Sequence, residues 1–195
     1  MSTDEYSKNF YSKNAAQYTA HVRNPKDSVY HAYYEKPAMY ALLPELNGKD
    51  VLSVGCGSGE DSIYLKRQGA KRSVGIDITP ELVAIAEKSY SECEFRVMNM
   101  EHLDFPDAYF DFAYSSLAIH YVEDWTKVLK EVYRVLKLGG SFLFSCGHHV
   151  KFCMEDADSE GYSIKKLEIA KNKSSGELTI AGDYFSKVWR FLWRL

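Results

Sequence analysis

The 195-residue chain has no cysteine pair at metal-binding spacing, no apolar run long enough to span a bilayer, and no surplus of basic charge. Each lack removes a class. Its four cysteines, Cys56, Cys93, Cys146 and Cys153, form no C-x-x-C pair and stand in no zinc-like pattern with histidine, so they read as free thiols in a reducing compartment and no metal is expected. A transmembrane helix needs about 20 consecutive apolar residues, and no such stretch is present. A net charge of −3 lacks the basic footprint of a nucleic-acid binder. The opening MSTDEYSKNF is polar and acidic, unlike a secretory signal. The expectation is a cytoplasmic protein that meets neither membrane nor nucleic acid. Repeats and low-complexity linkers are also absent.

What is present is a regular alternation after Asn47-Gly48. Val51 to Val54 reads as a strand, Glu60 to Gln68 as a helix stopped by Gly69, and Ser73 to Ile78 as a second strand. Thr79-Pro80 supplies an N-cap and an N1 proline for a helix to about Tyr90. Cys93 to Val97 and Asp111 to Ser115 are further strands. Between Asp124 and Lys137, Trp125, Val128, Leu129, Val132, Val135 and Leu136 fall on one helical face, and Glu123 and Asp124 suit its positive end. Leu138-Gly139-Gly140 ends that helix before a strand over Ser141 to Ser145. Strands alternating with helices predict an α/β fold: a Rossmann-like, doubly wound, mostly parallel sheet.

The chemistry sits in VLSVGCGSGE, residues 51–60. An apolar strand runs into Gly55, Gly57 and Gly59, which let the backbone turn sharply and approach a ligand, and the following helix offers free N–H groups. Asp77 ends the second strand about 20 residues later, where a carboxylate can accept both ribose hydroxyls of an adenosine. Capping the next helix is the competing role for Asp77, and Thr79 is better placed for it. A dinucleotide loop needs a third glycine where this chain has Glu60, whose charge would repel a pyrophosphate. S-adenosylmethionine, which carries no phosphate, fits better than NAD.

Four segments, VLSVGCGSGE, VGIDITPELVAIAEK, FDFAYSSLAIHYVEDW and EVYRVLKLGGSFLFS, resemble the class I S-adenosylmethionine-dependent methyltransferases of small-molecule type. The similarity covers about Glu35 to His149, with Tyr34-Glu-Lys-Pro-Ala38 like the family's lead-in helix. It implies that Gly55, Cys56 and Gly57 lie against the methionine moiety through their backbones, with Gly59 also in the cofactor-binding loop. Asp77 would bind the ribose, Ile78, Asn99 and Met100 the adenine, and Ser115 and its neighbours would face the sulfonium and the acceptor. Ser53 and Asn99 stand where the family usually has acids, and Leu138 where it has proline. The implied activity is methyl transfer to a small-molecule acceptor. A catalytically weak domain that binds cofactor or a partner is the alternative, and an NAD-dependent oxidoreductase the third. His120 is the candidate general base, about even with a packing role; His148 and His149 are further pocket candidates. Cys56 reads as a small packing residue.

Three regions are expected: a helical lid over residues 1–46, the binding core over 47–149, and a C-terminal hairpin and tail over 150–195. The lid is read as short helices rich in tyrosine, with Pro37 near a first turn, and packing is favoured over pocket lining as the role of its rings. Leu167 to Ala170 and Glu177 to Ala181 read as a hairpin around Lys171 to Gly176. Gly161-Tyr162 and Gly182-Asp183-Tyr184 read as a surface excursion. The aromatic, basic end, Phe185 to Leu195, is read as a docked helix, a partner or homodimer contact, or the end of a truncated chain. The sheet is therefore expected to be shortened at its C-terminal edge.

Overall fold

A computed structural model describes residues 3–122 and 124–147, with the strands 167–171, 178–184 and 187–193. The chain divides into two compact units, Met1–Cys146 and Gly147–Leu195.

The first unit opens with one long helix, α1 (Thr3–Arg23), where several short ones were expected. No glycine or proline interrupts the segment, so nothing stops propagation before Asn24-Pro25. Ser7, Tyr11, Ala15, Tyr18 and Thr19 share one stripe; Ser7, Ala15 and Thr19 are buried. A π-helical turn (His31–Glu35) then runs into α2 (Lys36–Ala41), with Pro37 in its first turn.

Five parallel strands follow: β1 (Asp50–Val54), β2 (Arg72–Asp77), β3 (Glu94–Val97), β4 (Phe110–Ser115) and β5 (Leu136–Phe144). Helices α3 (Glu60–Arg67), α4 (Pro80–Ser89) and α5 (Trp125–Val135) connect them. The sheet order β3-β2-β1-β4-β5 bears out the doubly wound reading. It reverses direction between β1 and β4, and in such sheets ligands bind outside the strand ends at that reversal.

Period-two alternation sorts β1 between two cores. Leu52 and Val54 face one cluster with Val74, Ile76, Phe110 and the α5 residues Val128, Val132 and Val135. Val51 faces the other with Phe112, Tyr114, Leu65 and Met39. Asp124 caps α5, its carboxylate accepting from Thr126 N at 2.9 Å. The helix stops at Val135, earlier than its apolar face suggests. Leu136 already pairs with Phe110, the register shifts before Phe112 meets Ser141, and Gly139 takes φ +81° within the irregular stretch.

Arg134, in the last turn of α5, fastens the crossover between β3 and β4. It donates to Leu103 O at 2.7 Å, Phe105 O at 2.8 Å and Asp107 at 2.8 Å, and pairs with Glu131, which accepts from Leu103 N. The Arg134 guanidinium holds the Glu131 carboxyl down to about 2. Arg134→Ala is expected to cost about 1.5–3 kcal/mol, measured by urea unfolding at neutral pH. Because the Glu131 pKa is depressed on folding, its contribution is present above the ordinary carboxylate range. It fades as pH falls toward about 2, so the gap between wild type and variant narrows in acid.

The second unit contains β6 (Leu167–Lys171), β7 (Leu178–Tyr184) and β8 (Lys187–Trp193), antiparallel in that order. The expected hairpin is present, with Ile169 opposite Ile180. Two readings need correction. Gly182-Asp183-Tyr184 belongs to β7 and not to an excursion, and Lys187–Trp193 is a strand on β7 and not a helix. Val188, Trp189, Phe191 and Trp193 are β-branched or aromatic, the residue types that favour β structure. Gly161-Tyr162 and most of the intended turn, 172–177, lie outside the described residues.

Candidate cofactor site

At the switch point the loop after β1 and the turn after β4 face each other across a pocket. Gly55, at φ +69°, lies so close to that turn that a Cβ there would overlap the Ala118 side chain and sit 3.5 Å from Met100 Cε. Gly57, at φ +54°, would bring a Cβ within 3.5 Å of the Tyr18 ring. Gly59 adopts φ +91° as the left-handed N-cap of α3, where a side chain would meet Phe95 at 2.9 Å and Ala86 at 3.0 Å. Gly59 therefore does the close-packing job assigned by sequence to the position of Glu60. The first two glycines form a cradle and the third packs.

Asp77 closes the loop from β2. Its Oδ2 accepts from Gly57 N and its Oδ1 from Thr79 N, both at 2.9 Å. Burial pushes its carboxyl above the usual carboxylate range, and the Thr79 and Gly57 N–H groups pull back against that rise. Thr79 occupies the N-cap of α4 but caps nothing with its side chain. Asp77 thus fixes the backbone of the N-cap residue without bonding the first turn of α4 itself.

The pocket is lined by Gly55, Gly57, Asp77, Ile78, Asn99 and Met100 among the expected residues. Asn99 Oδ1 accepts from Glu101 N at 2.8 Å, so one of the two lone pairs offered to a ligand holds the local turn. Four of the expected residues do not line this pocket. Ser115 is wholly buried at the end of β4, its carbonyl taken by Ser145 N, and Ser116 and Leu117 face the pocket in its place. Cys56 and Gly59 lie behind the cradle; Cys56 packs on Val83, Ala86 and Phe95, and burial raises its thiol well above the ordinary range. His120 does not line the pocket: it sits in the 3₁₀ turn Ile119–Tyr121, its ring centroid 4.4 Å from that of Tyr121. His148 and His149 lie outside the described residues.

Helix α1 forms a wall, so its tyrosines take the pocket-lining role that the sequence favoured less than packing. Ser7, Tyr11 and Tyr18 line the pocket, and the Tyr11 and Tyr121 hydroxyls meet at 2.7 Å. Their stripe on α1 was visible in the spacing, but the intervening polar residues disguised it. Arg23 fastens the far end of α1. It pairs with Glu60 at 2.6 Å and donates to Ser89 at 3.0 Å. Glu60 is therefore neutralised outside the lining, and its charge argues less against a phosphate than its sequence position suggested. Leu82 and Met98 add apolar wall, and Leu117 holds φ +47°, a strained value for a branched side chain.

A family model described as a methyltransferase domain matches residues 52–144, from β1 to the end of β5. Over these residues the chain carries a domain of the class I S-adenosylmethionine-dependent methyltransferase type. It is 31% identical over 107 residues to the malonyl-[acyl-carrier protein] O-methyltransferase of Pectobacterium atrosepticum, covering 55% of this chain and 42% of that protein. It is 32% identical over 131 residues to the demethylmenaquinone methyltransferase of Bacillus licheniformis, covering 65% and 53%. A solved S-adenosylmethionine-dependent methyltransferase from Mesorhizobium loti superposes with TM-score 0.58 at 31% identity, covering 77% of this chain and 64% of that one. The chain thus spans about half the length of the curated relatives it matches. The matched methyltransferase domain ends before the three-stranded unit and begins after α1, so the tyrosine wall is supplied from outside it.

Proposed function

We propose that this methyltransferase-family chain binds S-adenosylmethionine in the switch-point pocket and directs its methyl group to a small-molecule acceptor. The observation that carries the reading is the convergence of the side-chain-free cradle at Gly55 and Gly57 with the Asp77 carboxylate on one pocket. Asp77 would accept the ribose hydroxyls, Ile78, Leu82, Met98 and Met100 would enclose the adenine, and Asn99 would meet its edge. The cradle would admit the sulfonium arm against bare backbone.

When bound, the cofactor supplies a methyl carbon already activated by a positive sulfonium. The chain's part is placement. Orienting two reactants in line is worth on the order of 7–11 kcal/mol in favourable cases. The α1 tyrosines and the turn after β4 would shut out water around the transfer. Burial raises the Tyr18 and Tyr121 phenols, so both are neutral at pH 7 and act as hydrogen-bond partners, not as bases. Among the described lining residues there is no histidine, lysine or cysteine. This set suits an acceptor that is already a nucleophile at neutral pH, such as a carboxylate, over one that must first lose a proton.

Calorimetry with S-adenosylmethionine, S-adenosylhomocysteine and NAD tests the ligand. Micromolar binding of the first two is expected; binding of NAD alone would sink the proposal. Transfer of a labelled methyl group to a panel of carboxylic acids, amines and phenols then ranks the acceptors, with the acids expected first.

A further inference from the structure

Four acidic side chains of this unit stand out, and one has no cationic or backbone N–H partner among the described residues. Glu60 is paired with Arg23 at 2.6 Å. Asp61 accepts from Lys36 Nζ and from Tyr40 Oη, each at 2.6 Å. Asp77 takes two backbone N–H groups. Glu35, only 4% exposed at the end of the π-helical turn, has no cationic side chain within 4 Å among the described residues. Its Oε1 accepts from Ser116 Oγ at 2.9 Å and from Ser145 Oγ at 2.5 Å, while its buried Oε2 has no hydrogen-bond partner among the described residues. Uncompensated buried charge is expensive, and π-helical turns recur at functional sites.

The hydrogen bonds of Glu35 lead into the pocket. Ser116 lines it, and Ser145 accepts from the N–H of strained Leu117, which also lines it. Because Ser116 gives its proton to Glu35, its oxygen lone pairs remain for a donor on the pocket side. Both neutral hydroxyls pass on the negative potential of the carboxylate without quenching it. The complementary ligand group at that wall is an ammonium. Meanwhile Ser53, 2% exposed in the middle of β1, brings no charge to a position where the family usually has an acid.

We propose that Glu35, acting through Ser116, is the counter-charge for the cofactor's amino-acid ammonium, a charge supplied from the helical entry segment and not from β1. The inference rests on the S-adenosylmethionine reading above. Glu35 is a positioning residue in this scheme; Ser116 is the group that would touch the ligand.

Three probes separate the possibilities: S-adenosylhomocysteine, its desamino analogue, and methylthioadenosine, which lacks the whole amino-acid arm. The native chain is expected to prefer S-adenosylhomocysteine over the desamino analogue by about 30-fold or more. Glu35→Gln keeps the shape and removes the charge. It is expected to cut that preference about tenfold and leave methylthioadenosine affinity unchanged, which also reports an intact pocket. Ser116→Ala should narrow the preference in the same direction and serves if the glutamine variant does not fold. Equal binding of the amino and desamino ligands by the native chain overturns the inference. So does an equal loss of all three ligands in Glu35→Gln, since that reports only a turn held in place. Failure of the native chain to bind any of the three defeats the cofactor reading itself and the inference with it.

Discussion

Gly55→Ala is expected to weaken S-adenosylhomocysteine binding by at least a hundredfold, about 2.7 kcal/mol, while the chain still folds. Two costs coincide at this position. The φ of +69° belongs to the left-handed region, which costs a residue with a Cβ roughly 1–2 kcal/mol. The new methyl would also overlap Ala118 and press toward Met100, so either the loop after β1 or the turn after β4 must move. Both form walls of the same pocket, and both movements spoil it. Gly48→Ala is the matched control. Gly48 has φ +73°, but nothing lies within 4 Å of an added Cβ. It should lose a similar increment of stability and keep its affinity. Calorimetry on both variants, with thermal unfolding alongside, separates strain from blockage; equal affinities in the two would refute the assignment of the cradle.

The contrast between those glycines shows what was legible in the sequence. The sheet was readable because β1, β2 and β4 are short apolar runs bounded by turn residues, and because α5 carries its apolar face at spacings of three and four. The cradle and Asp77 were readable for the same reason: each follows the end of an apolar strand. Side-chain direction was not readable at the strand ends. One residue decides whether a side chain points into the sheet or out of it, so the pocket received Ser116 and not Ser115. His120 looked well placed along the chain, but a tight 3₁₀ turn swings its ring beside Tyr121. The α1 wall was illegible for a different reason. It buries small polar groups and tyrosines, which give little apolar periodicity, and its fastening by Arg23 and Glu60 spans residues far apart in sequence. Glu35 was hidden in a segment that resembled only a lead-in helix; its partners Ser116 and Ser145 become neighbours only through the fold.

Asp77→Asn is expected to be as damaging as the loss of the cradle, although it changes the side chain's shape hardly at all. Both carboxylate oxygens accept from backbone N–H groups, Gly57 on one side and Thr79 on the other. An amide has one acceptor oxygen, so its NH₂ must face an N–H at one of the two sites. That either releases the glycine loop or frees the start of α4. The variant also loses the charge that ribose hydroxyls would meet. Charge-assisted hydrogen bonds are about twice as strong as neutral ones, and an affinity loss of about a hundredfold or more follows. A pH series gives a second reading. Burial raises the pKa of Asp77, so the ionised form proposed to accept from ribose is lost at a higher pH than for an ordinary aspartate. Cofactor affinity in the native chain should therefore decline on acidification before the usual carboxylate range is reached. The sign is fixed by the ligand's preference for the ionised form: binding draws the pKa back down and releases a proton where the two states differ. Calorimetry in buffers of different ionisation enthalpy measures that proton directly. Asp77→Asn should show neither the early decline nor the proton release, and a variant that kept both would place the titrating group elsewhere.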